Sequence, residues 1–146
     1  MKAWYLATLI GFFGLLSGCA SAPGAQYNKE LHVKQNNKSA SQVVVYRYKQ
    51  FAGSADITEI IDNGEAKGSI ANGGFIVYET EPGIHKMHTN TLGIDQPVTI
   101  DMSANQTYYF RADFRPSWIG FWRLSAIHSQ QAASELPQTR AMSNPE

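Results

Sequence analysis

One cysteine, Cys19, stands among 146 residues, so no disulfide can form within a chain that must then hold its fold by packing. Charged residues are only 16% of the sequence, 12 basic against 12 acidic, and the basic ones are scattered. That excludes the clustered cationic stripe with which a protein binds nucleic acid electrostatically. No G-x-S-x-G elbow is present, and no second cysteine exists. Residues 68–74 space their glycines like a phosphate loop, but Phe75 follows where Lys and then Ser or Thr are required. No run outside the first 16 residues is long and apolar, and none has sustained helical periodicity, so little helix is expected in the body of the protein.

Metal and acid–base constellations are equally thin, and neither a metal nor a cofactor is expected. His85 and His88 are three apart, which on a strand points them to opposite faces; His32 and His128 lie far from both. Glu79 and Glu81 are two apart, but Glu81 falls in a Pro-Gly turn, and exposed carboxylates are the simpler reading of both. No catalytic residue is assigned.

At the N-terminus, Lys2 precedes a charge-free run of 14 residues, Ala3 to Leu16, that ends in Ser17, Gly18 and Cys19. This is a signal peptide in outline, shorter than the roughly 20 apolar residues a spanning helix needs. Leu16-Ser17-Gly18-Cys19 resembles the lipobox of bacterial lipoproteins, which implies acyl transfer to the Cys19 thiol and cleavage before it. Small residues at 17 and 18 fit extended backbone into a protease cleft. One acyl chain holds a protein only marginally at a bilayer, whereas two or more hold it stably. Without Lys2 the mature chain carries 11 basic and 12 acidic residues. Ala20 stands where lipoproteins retained at the inner membrane often carry Asp, which favours the periplasmic face of the outer membrane.

Residues 20–41 are polar, rich in Ser, Ala, Asn, Gln and Lys, and read as a flexible tether of about 25 Å root-mean-square span, with a short turn of structure near Glu30 to Val33. Beyond them, short β-branched and aromatic runs are separated by Gly, Pro and Asn, the pattern of an all-β sandwich. Val43 to Tyr48 opens the domain. Asn63-Gly64 between Ile57–Asp62 and Glu65–Ile70 predicts a hairpin. Turns at 72–74 and 81–83 set off Phe75 to Thr80 and Ile84 to Thr91. Val98, Ile100 and Met102 share one face of a strand. Tyr108, Phe110, Ala112 and Phe114 share a face of the next, opposite Tyr109, Arg111 and Asp113, which predicts a wet face with an exposed Arg111–Asp113 pair. A final strand spans Trp122 to Ile127, and residues 129–146 read as a polar, partly disordered tail.

Val43-Val44-Val45-Tyr46-Arg47, Phe51-Ala52-Gly53-Ser54, Asn63-Gly64 with Gly68, Phe75 to Tyr78 and Pro82-Gly83-Ile84-His85 together resemble a bacterial family of unknown function, DUF2846, over roughly Gln42 to Ile127. Many of its members carry lipoprotein signals. The resemblance implies a class and brings no functional residues.

The expected division is a signal peptide at 1–18, a lipidated cysteine and tether at 19–41, a small, mostly antiparallel sandwich at 42–128, immunoglobulin-like or transthyretin-like, and a tail at 129–146. One stretch invites a functional assignment: Trp118, Ile119, Phe121 and Trp122 fall in a loop broken by Pro116 and Gly120 and framed by Arg115 and Arg123. They read as a contact for a protein partner or for a membrane, or as a plug closing the sandwich. The expected role is a non-enzymatic binding or structural module of the cell envelope, anchored to the membrane through acyl chains on Cys19, with an envelope protein as candidate partner and no nucleic acid. The alternatives are an enzyme acting on envelope glycan or peptide, and an accessory subunit of a transport or secretion assembly.

Overall fold

The computed structural model describes residues 21–91 and 96–142. Nine strands form two sheets: β1 (Ser41–Tyr46), β2 (Thr58–Asp62), β3 (Glu65–Ile70), β4 (Gly74–Thr80), β5 (Gly83–Thr89), β6 (Val98–Met102), β7 (Thr107–Arg115), β8 (Phe121–Ile127) and β9 (Arg140–Ala141). The larger sheet has the order β8-β7-β1-β4-β9 and the smaller β3-β2-β5-β6. Pairing is antiparallel except for β1 with β7 and β4 with β9. The mostly antiparallel sandwich expected from the sequence is therefore present.

β1 is central in its sheet and buried along its whole length, which explains a run of Val and Tyr with no polar alternation. Val43 and Val45 face the other sheet, joining Ile76, Phe110, Ala112, Trp122 and Leu124 against Ile60, Ile70, Met87 and Met102. Tyr108, Phe114, Val98 and Ile100 pack on the margin of this core, so the alternation read in both strands gives the correct faces. The β2–β3 hairpin turns at Asn63 (φ 50°) and Gly64 (φ 84°), the left-handed pair that a two-residue turn requires.

Val44 and Tyr46 point the other way, onto a layer the sequence did not announce. Here Phe75, Ala132 and Leu136 are buried, with Tyr27, Val33, Val77, Tyr109, Ile127 and Ala141 packed around them. The layer is built from the segments expected to be a tether and a partly disordered tail, and the short turn expected near Glu30 to Val33 is there as a helix. Helix α1 (Lys29–His32), capped by the Asn28 side chain on the Glu30 N–H, follows a stretch that hydrogen-bonds to residues 139 and 141. Helix α2 (Ser129–Glu135) leads through a 3₁₀ turn (Leu136–Gln138) into β9. The expected flexible tether thus gives way to docked chain from Ser21 onward, and the expected tail is structured through residue 142. Apolar anchors too few to form a sustained stripe, Tyr27, Val33, Ala132 and Leu136, hold them there.

β1 and β7 run toward one end of the sandwich, where residues 47–57, 71–73 and 116–120 connect the strands. The opposite end carries the turns at 63–64, 81–82 and 103–106. These two ends hold the candidate sites.

Candidate functional site

At the first end, β7 stops at Arg115 and the chain makes a short excursion before β8. Ser117 Oγ accepts the Gly120 N–H at 3.1 Å, closing the loop and turning Trp118 and Ile119 outward. Trp118 is fully exposed at 104% and Ile119 is 72% exposed. Phe51 (95%) and Ile57 (56%), from the β1–β2 loop, are exposed on the same end. Ile57 and Ile119 share an open cleft of about 610 Å³ with Asp56, Asn90, Thr91, Phe114 and Trp122.

Of the four aromatic-loop residues, Trp118 and Ile119 project into solvent, Phe121 is half-buried, and Trp122 is 4% exposed in the core. The two tryptophans therefore part ways. Trp122, second in β8, faces inward with Leu124, and its ring lies 5.2 Å from that of Phe114. Trp122 closes the sandwich; Trp118 does not touch that core.

Beneath the loops lies Arg47, fully buried, one position past β1. Its guanidinium sits 3.9 Å from the Trp122 ring centroid, donating to the carbonyls of Gly53 at 2.5 Å and Asp56 at 2.6 Å, while its Nε has no partner. Burial lowers its pKa to about 10, offset in part by Asp56, so it remains charged at neutral pH. Buried charge held by two carbonyls and an aromatic face fixes the 53–56 loop in one position. Thr89 and Thr91 add a brace across the sheets: Thr89 Oγ1 donates to the Trp122 carbonyl at 3.0 Å, and the Trp122 N–H donates to Thr91 Oγ1 at 3.2 Å. Nothing in the sequence marks Arg47 for burial, since a lone Arg after a strand normally reads as exposed.

The N-terminal segment reaches this same end. Ser21 bridges to Asn72, Ala22 is buried and donates to the Asn72 carbonyl, and the Asn72 side chain pairs with both backbone groups of Gln50. Leu16, Ser17, Gly18 and Cys19 lie outside the described residues.

At the opposite end, a polar cleft of about 430 Å³ is lined by Asp62, Glu65, Lys67, Glu79, Glu81 and His85 among others. His85 is buried, with Nδ1 2.7 Å from Asp62 Oδ1 and Nε2 2.8 Å from the Glu81 carbonyl; the Tyr78 hydroxyl donates to Asp62 Oδ2 at 3.2 Å. Burial, then the Asp62 carboxylate, push the Tyr78 phenol well above its ordinary pKa. Both imidazole nitrogens are taken by the protein, so neither is free to move a substrate proton. The group ties the 81–83 turn to β2. Glu79, by contrast, accepts the N–H groups of Asn36 (2.7 Å) and Asn37 (3.3 Å), fastening the chain that leads into β1. Among the described residues, no three of His, Cys, Asp and Glu converge as a metal site.

The Arg111–Asp113 pair forms as expected, at 2.8 Å, but it is not an isolated exposed pair. Arg111 also bonds both oxygens of Glu135 from α2, at 3.0 and 3.1 Å, and Glu135 accepts the Tyr46 hydroxyl. Burial would raise the Glu135 pKa, yet bonds from Tyr46, Gln131, Tyr48 and Arg111 hold it below the usual carboxylate value. This network latches α2 to the sheet. No helix among the described residues is long and apolar enough to cross a membrane.

A family model described as Protein of unknown function (DUF2846) matches residues 37–120, more than half of the chain. It takes in β1 to β7 and the loop bearing Trp118 and Ile119, and stops short of β8 and α2. No curated protein and no solved structure matches the chain.

Proposed function

The chain belongs to the DUF2846 family of proteins of unknown function, and from that premise we propose that it is a lipid-anchored module of the cell envelope that works by contact rather than by catalysis. Acylation of Cys19 within Leu16-Ser17-Gly18-Cys19 supplies the anchor, and Ala20 favours the periplasmic face of the outer membrane. The contact surface is the end bearing Phe51, Ile57, Trp118 and Ile119. The observation that carries this reading is the exposure of those four large apolar side chains on one end of the sandwich, where Arg47 fastens the 53–56 loop and Thr89 the start of β8. A soluble domain gains nothing in stability from apolar groups left in water, and clustered ones mark contact. The enzymatic alternative is less supported, because the atoms of Asp62 and His85 at the polar cleft are already engaged within the protein.

A photo-activated cross-linker at position 118, compared with one at Ile84 on the opposite end, tests the reading in intact cells carrying a labelled fatty acid. Label lost in Cys19→Ser, together with cross-links from 118 and few from 84, is the expected result. Equal cross-linking from both positions would remove the contact surface, and an unlabelled wild-type chain would remove the anchor.

A further inference from the structure

We infer that the surface in contact with the apolar end is the phospholipid bilayer that holds the acyl chains of Cys19, so that the domain sits directly on the membrane with its Trp118 end down. This inference rests on the proposed acylation. Only Ala20 separates Cys19 from Ser21, and Ser21 is fastened to Asn72 at the end of the sandwich that bears the exposed apolar side chains. Two residues of extended chain reach about 7 Å. A docked leash that short cannot let the domain stand off from the headgroups.

The geometry of the end agrees. From β4, beside which Ser21 enters, to β8, where the aromatic loop returns, the sheet spans three strand spacings, about 14 Å. The leash and the loop therefore meet the membrane together. Trp is the side chain best suited to the headgroup level, and Ile119 beside it suits the acyl boundary. Among the described residues, Lys49, Arg115 and Arg123 are exposed around these loops against one exposed acid, Asp56, an excess of positive charge that fits an anionic leaflet. Glu79 and Glu81 lie at the opposite end, with Glu65 paired to Lys67 beside them, and that end then faces away from the lipid. A protein partner would explain the apolar cluster, but not why the leash emerges beside it.

The test uses the purified, lipidated mature protein, which has lost Trp4 with its leader and keeps Trp118 and Trp122, in vesicles of phosphatidylethanolamine and phosphatidylglycerol, part of the lipid brominated high on the acyl chain. Mass spectrometry of the N-terminal peptide reads the anchor, and tryptophan quenching reads the seat. Trp122, buried in the core, serves as the internal reference in Trp118→Phe. The expected result is acylated Cys19 with a roughly twofold loss of Trp118 emission, as for an indole at the headgroup level, absent from Trp118→Phe. Acylated protein whose emission is insensitive to bromine keeps the anchor and overturns the seat; if that emission is also blue-shifted, a second copy covers the loop. An unacylated chain overturns both.

Discussion

Arg47→Met would remove the one buried charge that braces the apolar end while leaving a side chain of similar length. Two charge-assisted bonds disappear. The Gly53 carbonyl still accepts the Asp56 N–H at 2.9 Å, whereas the Asp56 carbonyl loses its guanidinium. At about 1.5 to 3 kcal/mol each, the lost bonds amount to roughly 3 to 6 kcal/mol. The cation–π contact with Trp122 adds about 1 to 2 kcal/mol in a desolvated site. Against this stands relief of the desolvation of the guanidinium, whose Nε has no partner, several kcal/mol by the behaviour of other buried ions. The expected balance is a destabilisation of about 2 to 4 kcal/mol. Urea unfolding followed by far-ultraviolet circular dichroism reads it as a midpoint lowered by about 1 to 2 M at unchanged slope, for a slope near 2 kcal/mol/M. Arg47→Lys keeps the charge without the planar fork and falls between the two. A midpoint for Arg47→Met equal to or above wild type would refute the reasoning, because desolvation would then outweigh the bonds.

Other expectations follow from the same geometry. Gly64→Ala meets open space at φ +84° and costs about 1 kcal/mol in thermal or urea unfolding; Gly53→Ala also meets Trp122 and Phe114 within 3.0 Å and costs distinctly more. Phe110→Ala, at the centre of the core, loses about 3 to 5 kcal/mol by the same assay. Because the folded-state pKa of Glu135 is depressed, its contribution is present above the unfolded carboxylate value near 4.3 and is lost as pH falls through the folded value; Glu135→Gln should flatten stability over that acid window. Trp118→Ser with Ile119→Ser should leave the unfolding free energy within about 0.5 kcal/mol of wild type, since neither side chain is buried.

The features legible in the sequence are those whose cause is local. Asn63-Gly64 encodes its turn through backbone conformations that few other residues accept, and Phe110 and Ala112 encode a face through alternation. The outer layer was not legible because its cause is distant. Ser-Gln-Gln-Ala-Ala-Ser-Glu presents little more than Ala132 to the sheet, and Glu135 has meaning only once β7 places Arg111 beneath it. Likewise the chain from Ser21 is held by backbone hydrogen bonds, which leave no mark on composition, together with the widely separated Tyr27 and Val33. For the contact surface, the sequence grouped Trp118 with Trp122; they separate because one lies in a loop between Pro116 and Gly120 and the other occupies an inward position of β8. His85 was legible as a strand residue and not as a buried one, since burial depends on Asp62 arriving from the neighbouring strand.

Membrane orientation can be read most directly from the reactivity of single cysteines placed at the two ends, since Cys19 is the only native thiol. Trp118→Cys and Ile84→Cys, both at exposed positions, would be labelled with a water-soluble maleimide on vesicle-bound protein and again after solubilisation in detergent. Position 118 should react slowly on the vesicle and quickly in detergent, with position 84 fast in both. Equal rates at position 118 in the two conditions would contradict a Trp118 end seated on the bilayer.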